Sequence, residues 1–192
     1  MSIDPKATRG YRNRNPGNIE HVPANKWQGL ADPPSDGRFC RFTSHEFGIR
    51  ALAMLLITYQ DRHGLRTIRG IVNRWAPPNE NNTDAYVHAV ARKIGVSERD
   101  TLDLHTYAHM RPLVDAIIAH ELGGNPYSDA VLDEGLRRAG IVKPVQTVRE
   151  AAATGTGRGA GAVAAGLLLG ADWRGREGNF CPASGTGVPG AG

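Results

Sequence analysis

One glutamate in the chain stands where a general acid could work, at the end of an apolar helix pattern. In the stretch LVDAIIAHELGGNPYS, the residues Leu113, Ile117 and Glu121 are spaced by four and lie along one helix face. Gly123 and Gly124 end this helix, which puts the carboxyl group in its last turn. There the negative end of the helix dipole and partial burial both disfavour ionisation and raise the pKa. A carboxyl group protonated near neutral pH suits general-acid cleavage of a glycosidic bond; the alternative is a surface residue at a helix end.

A second acidic residue, Glu80, is the competing catalytic carboxylate. It follows Pro77 and Pro78, which form a rigid extended stretch, and it precedes a helix start with several hydrogen-bond donors nearby. This setting favours the charged form, which suits a group that stabilises positive charge at a sugar or orients a water molecule. Glu121 as acid, with Glu80 or Asp84 as base or stabiliser, would form the two-carboxylate set of a glycoside hydrolase. A capping or loop residue is an equally good explanation for Glu80.

Aromatic and amide side chains elsewhere in the chain could bind a sugar. Sugar rings stack on aromatic rings, and their hydroxyl and acetamido groups pair with side-chain amides. Asn18, Trp27, Gln28 and Tyr86 are the candidates for this role. For Trp27 and Trp75, a position in the core is at least as good an explanation as sugar binding. Asn18 could instead be part of a tight turn formed by the sequence Asn-Pro-Gly-Asn.

No sequence pattern indicates a metal or nucleotide site. The seven histidines include His105 and His109 at a four-residue spacing that could share a helix face, but the HExxH motif of zinc proteases is absent. No GxxxxGK[ST] or GxGxxG motif opens a helix, and GTGRGAG at 155–161 is typical of a flexible linker. We therefore expect no metal and no cofactor.

Composition and charge exclude several classes of protein. The 192 residues carry 23 Lys and Arg against 19 Asp and Glu, a net charge of +4, and only two cysteines, Cys40 and Cys181. This cysteine count excludes a disulfide-stapled fold and a cysteine-rich zinc module. The positive charge favours polyanions in general, but it is scattered rather than striped, which argues against a nucleic-acid face. The polar amino terminus carries no apolar secretory signal.

The composition changes near Lys143 and predicts a folded domain over residues 1–143. Residues 144–192 are rich in Gly and Ala, and we expect them to form a largely disordered tail. Within this tail, GAGAVAAGLLLGA at 159–171 falls short of the roughly 20 residues that span a bilayer as a helix. This segment could therefore contact a membrane, either as an interfacial segment or as an incomplete membrane segment.

Hydrophobic spacing and capping residues predict a mostly α fold of the α+β kind, with a small irregular or β portion at the front. The first 45 residues are rich in turn formers and predict loops and a small hairpin. Five helical segments follow, from a cap at Ser44 to a stop at Gly64, from about Thr67 to Trp75, from a cap at Thr83 to Gly95, from Tyr107 to Leu122, and from Ser128 to Ala139.

Two stretches resemble segments of the lysozyme superfamily, lytic transglycosylases in particular. AIIAHELGGNPYSDA resembles the segment around their catalytic glutamate, with Glu121, Gly123, Asn125 and Pro126 at the matching positions. ENNTDAYVHAV is similar to their carboxyl-terminal Glu-Thr, Tyr-Val and Val element, in which the tyrosine lines the active site. Tyr86 holds the place of that tyrosine.

A third set of motifs lies in the first part of the chain. NPGNI at 15–19, WQG at 27–29 and FCRFTSHEFGIRA at 39–51 resemble the Asn-rich substrate strand and following helix of phage and bacterial muramidase or glucosaminidase domains. Together with RWAPPNEN at 74–81, they also resemble a group of phage-encoded virion or lysis proteins. In the usual superfamily the catalytic helix precedes the Asn-rich strand, whereas here it follows. That order implies either a circularly permuted site or a mistaken assignment of Glu121.

The resemblance covers most of residues 9–140 and implies a lysozyme-like, phage-encoded peptidoglycan hydrolase, an endolysin or virion-associated protein. Such a protein cleaves the bond between MurNAc and GlcNAc as a muramidase or a lytic transglycosylase. It would be a monomer unless built into a virion, with peptidoglycan rather than nucleic acid as its partner. It would be made in the host cytoplasm and act at the cell wall or be carried in the virion.

A non-catalytic wall-binding or virion structural protein is the alternative. With the resemblance included, the expected catalytic residues are Glu121 and Glu80. The expected substrate-binding residues are Asn18, Trp27, Gln28, Tyr86, Asn125 and Tyr127.

Overall fold

The structure is a computed structural model that describes residues 4–77 and 82–145. Glu80, one of the two expected catalytic carboxylates, lies outside the described residues. So do Cys181 and the predicted tail from residue 146 onward, including its apolar segment at 159–171. The predictions made for these parts of the chain therefore stay predictions.

Helices make up about half of the described chain, and a two-stranded sheet lies near its front, which confirms the mostly α, α+β fold class. The helices and strands are α1 (Arg9–Arg12), β1 (Leu30–Ser35), β2 (Cys40–Phe42), α2 (His45–His63), α3 (Ile68–Trp75), α4 (Thr83–Ile94), α5 (Tyr107–Leu122) and α6 (Asp129–Arg138). A turn of 3-10 helix at Pro5–Ala7 precedes α1. No helix in these two ranges is long and apolar enough to cross a membrane.

The five predicted helices are confirmed, and three of them end at the glycines that were expected to stop them. Gly64, Gly95 and Gly123 end α2, α4 and α5 with φ angles of 64°, 74° and 71°. This left-handed conformation costs glycine little because it has no Cβ. The stop at Gly123 sets the end of α5, and therefore the place of the glutamate two residues before it.

The start of α4 differs from the prediction by one residue. Thr83 was expected as the cap, but the cap is Asn82, whose side chain accepts a hydrogen bond from the backbone N–H of Ala85 at 3.2 Å. Thr83 is the first residue of the helix, and its hydroxyl donates to the carbonyl oxygen of Ala76 at 2.6 Å. This bond ties the beginning of α4 to the end of α3.

The front of the chain contains the predicted hairpin and one helix that was not predicted. β1 and β2 pair antiparallel, with Leu30 opposite Phe42 and Ser35 opposite Cys40. The short helix α1 has four residues, too few for an apolar period to show in the sequence. Its signal is the cap at Thr8, whose side chain accepts a hydrogen bond from the backbone of the third helical residue.

Helix α5 runs through the core. Buried apolar residues lie on nearly all sides of this helix, as expected for a helix that is surrounded by other elements. α2 packs mainly against α6, and α4 packs against both α3 and α5. The buried residues of α5 are Met110, Leu113, Val114, Ala116, Ile117, Ile118 and Leu122. This packing holds the last turn of α5 in a fixed position.

Candidate active site

Three segments distant in sequence meet at the side chain of Glu121. The Asn18 amide donates to Oε2 of Glu121 at 3.0 Å, and the Trp75 indole N–H donates to Oε1 at 3.0 Å. The Tyr86 hydroxyl donates to the same Oε1 at 3.4 Å. These partners lie 103, 46 and 35 residues from Glu121 along the chain. Three elements therefore converge on the end of α5: helix α3, helix α4 and the front loop, which contains Asn18 and lies between α1 and β1.

Burial raises the pKa of the Glu121 carboxyl group, as the sequence predicts. The hydrogen bonds from Trp75, Asn18 and Tyr86 favour the charged form and lower the pKa, but their combined effect is smaller than that of burial. Burial, the charge of Glu121 and the hydrogen bond to it also raise the pKa of Tyr86 well above its usual value. The tyrosine therefore stays protonated and keeps its hydroxyl as a donor.

A buried asparagine fixes the loop that presents Asn18. The side-chain amide of Asn15 donates to the carbonyl oxygens of Ile19 at 2.9 Å and Cys40 at 3.0 Å. Its Oδ1 accepts from the backbone N–H of Ile19 at 2.9 Å. Asn18 has a φ of 47°, in the left-handed region that asparagine tolerates better than most residues. A Cβ at Gly10 would lie 2.7 Å from Asn18 Oδ1, so a glycine there leaves room for the amide.

The bond between Trp75 and Glu121 was not predicted: from the sequence, Trp75 belongs to a motif, and a core position explains it at least as well as sugar binding. Trp75 ends α3, is 2% exposed, and packs edge-on against Tyr59 with 6.5 Å between the ring centroids. The only sequence signal for its role is general: a buried indole N–H needs an acceptor. Which acceptor it finds depends on how α3 packs against α5.

Asn18 and Tyr86 are the predicted binding residues that the structure brings to Glu121. The amide of Asn125 donates to Asp115 at 2.9 Å, and its Oδ1 accepts from the backbone of Tyr127 at 3.1 Å. Both polar ends of Asn125 are thus engaged away from Glu121.

The other predicted binding residues lie in different surroundings. Tyr127 stacks on Tyr11 at 5.6 Å and tilts against His45 at 5.0 Å. Trp27 packs partly buried against the core, and Gln28 is exposed. Substrate contact by these residues stays a prediction.

Asp84, the other candidate for a second carboxylate, belongs to an ion pair. Its carboxylate lies 2.8 Å from the guanidinium of Arg69, and its side chain is 72% exposed. Arg69 also pairs with Glu98 at 2.8 Å. Asp84 therefore connects α4 to α3 at the surface.

The described residues contain no group of three or more His, Cys, Asp and Glu side chains that could hold a metal ion. The expectation that His105 and His109 could share a helix face is wrong, because His105 lies before the start of α5. Its ring nitrogen Nε2 is 3.0 Å from Asp61, whereas Nδ1 of His109 accepts from the backbone N–H of Asp103 at 3.0 Å.

We expect Glu121→Gln to stabilise the fold increasingly as the pH rises. The unfolded chain releases this proton near pH 4.5, whereas the folded chain holds it to higher pH. The free energy of unfolding of the wild type therefore falls between the unfolded and folded pKa values, by about 1.4 kcal/mol for each pKa unit between them. Glutamine does not titrate and escapes this loss.

Chemical denaturation at a series of pH values measures the effect. The stability difference between variant and wild type should be smallest below pH 4.5 and grow until the pH passes the folded pKa of Glu121. In the variant, we expect Oε1 to accept from Trp75 and Tyr86 as before, and the Asn18 amide to turn so that its oxygen accepts from the new NH₂ group. A difference that stays constant or shrinks with rising pH would contradict a raised pKa.

The described chain is thus a small α+β fold with a candidate acid site, a partly buried carboxyl group that accepts hydrogen bonds from three donors at the end of a core helix. No protein-family model matches the chain. Over 132 residues it is 38% identical to Protein P5 of Pseudoalteromonas phage PM2, and the alignment covers 68% of this chain and 81% of that protein. The chain belongs to the family of this phage protein, and the match supports a phage-encoded origin.

Proposed function

We propose that the chain cleaves the glycan strand of peptidoglycan between MurNAc and GlcNAc, with Glu121 as the general acid. The observation that carries this proposal is the partly buried carboxyl group with a raised pKa, at the point where α3, α4, α5 and the loop containing Asn18 meet. A raised pKa lets a carboxyl group keep its proton to higher pH, and the protonated group can give that proton to the leaving oxygen of a glycosidic bond.

The two carboxyl oxygens of Glu121 have different surroundings, which suits different roles. Oε1 accepts two hydrogen bonds, from Trp75 and Tyr86, while Oε2 accepts one from Asn18. Oε2 therefore has more free capacity, and we assign the transferred proton to it. Once the proton has left, the donors on Oε1 stabilise the negative charge that remains on the carboxylate.

The sequence resemblance supports the same reaction. Glu121 and Tyr86 were matched separately to the catalytic glutamate and the active-site tyrosine of lytic transglycosylases, and their side chains are 3.4 Å apart. Asn18, from the Asn-rich motif, is the third member of the same cluster. Three matches made in separate parts of the sequence thus converge on one carboxyl group, although their order along the chain differs from that of the superfamily.

The three hydrogen bonds also favour a second candidate, a non-catalytic wall-binding or virion structural protein. Buried polar groups need partners, and a carboxyl group with three donors ties separate elements of a fold together. In this case Glu121 would hold Asn18, Trp75 and Tyr86 in place for binding alone. A phage origin is compatible with both candidates. We also propose that the protein acts at the host cell wall or as part of a virion.

Product analysis tests the proposal. The full chain is incubated with purified peptidoglycan, and the soluble products are identified by mass spectrometry. Fragments ending in anhydro-MurNAc would show transglycosylation, and fragments with new reducing ends would show hydrolysis. Either product supports glycan cleavage. Intact glycan after incubation with folded protein would contradict it and favour the wall-binding or structural candidate.

A further inference from the structure

His120, the residue before Glu121, contacts the candidate site through the ring of Tyr86. The imidazole ring of His120 stacks on the phenol ring of Tyr86, with 3.5 Å between the ring centroids and 10° between their planes. Tyr86 is 3% exposed, whereas His120 lies at the surface. The imidazole therefore covers one face of the tyrosine ring and separates that face from solvent.

The Tyr86 hydroxyl is the donor to Glu121 most easily lost through movement. Its bond length of 3.4 Å exceeds the 3.0 Å of the Trp75 and Asn18 bonds. Hydrogen bonds near this length weaken quickly with further separation. The hydroxyl is at the far end of the ring, so a small tilt of the ring plane moves it by more than any other atom of the side chain.

Stacking is the contact through which His120 can control that tilt. Its side chain makes no hydrogen bond or ion pair to another residue within ranges 4–77 and 82–145. Partial burial lowers the pKa of His120, so the ring is neutral at neutral pH. A neutral aromatic ring of similar size should therefore replace it, whereas a side chain without a ring should not.

We propose that His120 is a positioning residue, whose ring holds the plane of Tyr86 so that the tyrosine hydroxyl reaches Glu121. Its effect on catalysis rests on the proposed glycan cleavage, but its effect on the hydrogen bond does not. His120 acts through Tyr86 and not on the sugar.

A double-mutant cycle separates this role from a general structural one. His120→Ala removes the ring, His120→Phe keeps one, and Tyr86→Phe removes the hydroxyl that the ring positions. We expect His120→Ala to lower kcat on soluble glycan fragments about tenfold at an unchanged KM, and His120→Phe to stay within about twofold of wild type. In the Tyr86→Phe background, His120→Ala should cost less than about twofold more, because the positioned group is already gone.

Two results would overturn the proposal. In the first, His120→Phe is as slow as His120→Ala, which would show that the ring is not what matters. In the second, the single effects multiply in the double variant, which would show that His120 does not act through the Tyr86 hydroxyl. Thermal denaturation of every variant shows whether it is folded under the assay conditions.

A second readout needs no catalytic activity and separates this proposal from the proposed function. The Tyr86 hydrogen bond lowers the pKa of Glu121, so its loss should raise that pKa in an NMR titration of the carboxyl carbon. We expect the same rise in His120→Ala, in Tyr86→Phe and in the double variant, and no rise in His120→Phe. If the wild type leaves peptidoglycan intact, glycan cleavage fails and the titration still decides the role of His120; an unchanged pKa in His120→Ala refutes that role.

Discussion

Glu121→Gln should release soluble fragments from peptidoglycan about 10²- to 10⁴-fold more slowly than the wild type, the usual range for loss of a general acid. Glutamine keeps the size of glutamate and an oxygen that accepts from Trp75 and Tyr86, but it has no proton to give. The measurement is the initial rate of fragment release from purified peptidoglycan at equal concentrations of folded protein.

The matched control for this loss is Glu20→Gln. It makes the same chemical change in an exposed ion pair with Arg38, where the N–O distance is 2.9 Å, and it should keep the wild-type rate. Glu80→Gln belongs to the same experiment because Glu80 is the competing carboxylate. An active Glu121→Gln beside an inactive Glu80→Gln would move the acid to Glu80 and contradict the present assignment.

Asn15→Ala should lower the free energy of unfolding by about 3 kcal/mol or more. The substitution leaves the backbone N–H of Ile19 and the carbonyl oxygen of Cys40 without the side-chain partner they have in the buried loop. The Ile19 carbonyl oxygen keeps one bond, from the backbone N–H of Cys40 at 2.9 Å. Because the same loop presents Asn18, we also expect slower glycan cleavage. Urea denaturation at neutral pH measures the stability change.

Asn73→Ala is the control for loss of an asparagine side chain. Asn73 lies exposed on α3, where alanine favours the helix, so the free energy of unfolding should change by less than about 1 kcal/mol. Equal effects of the two substitutions would show that the three hydrogen bonds of Asn15 do not stabilise the loop.

The helices could be predicted because their signals are local. Ser44 and Gly64 bound α2, and the apolar spacing of α5 together with Gly123 places Glu121 in a last turn. The raised pKa of Glu121 follows from the same pattern, since a carboxyl group at the edge of an apolar stripe becomes partly buried. The short helix α1 was not predicted because four residues are too few to show the apolar spacing of a helix.

The contacts of the site could be predicted only in part, because they join distant segments. Tyr86 and Asn18 were chosen for their residue types and motifs, and both donate to Glu121. The Trp75 bond and the His120 stack depend on how α3, α4 and α5 pack, which no spacing along the chain records. Asn125 shows that a motif can also mislead. Its motif predicted a position at the site, but its amide donates to Asp115.

The pH dependence of glycan cleavage, measured beside an NMR titration of the Glu121 carboxyl carbon, tests the role of Glu121 most directly. A general acid works only while protonated, so the rate should fall as the pH rises through the folded pKa of this group. We expect the two midpoints to coincide, above the ordinary glutamate value of 4.5. A rate that falls at an unrelated pH, or a Glu121 that titrates at or below 4.5, would contradict Glu121 as the acid.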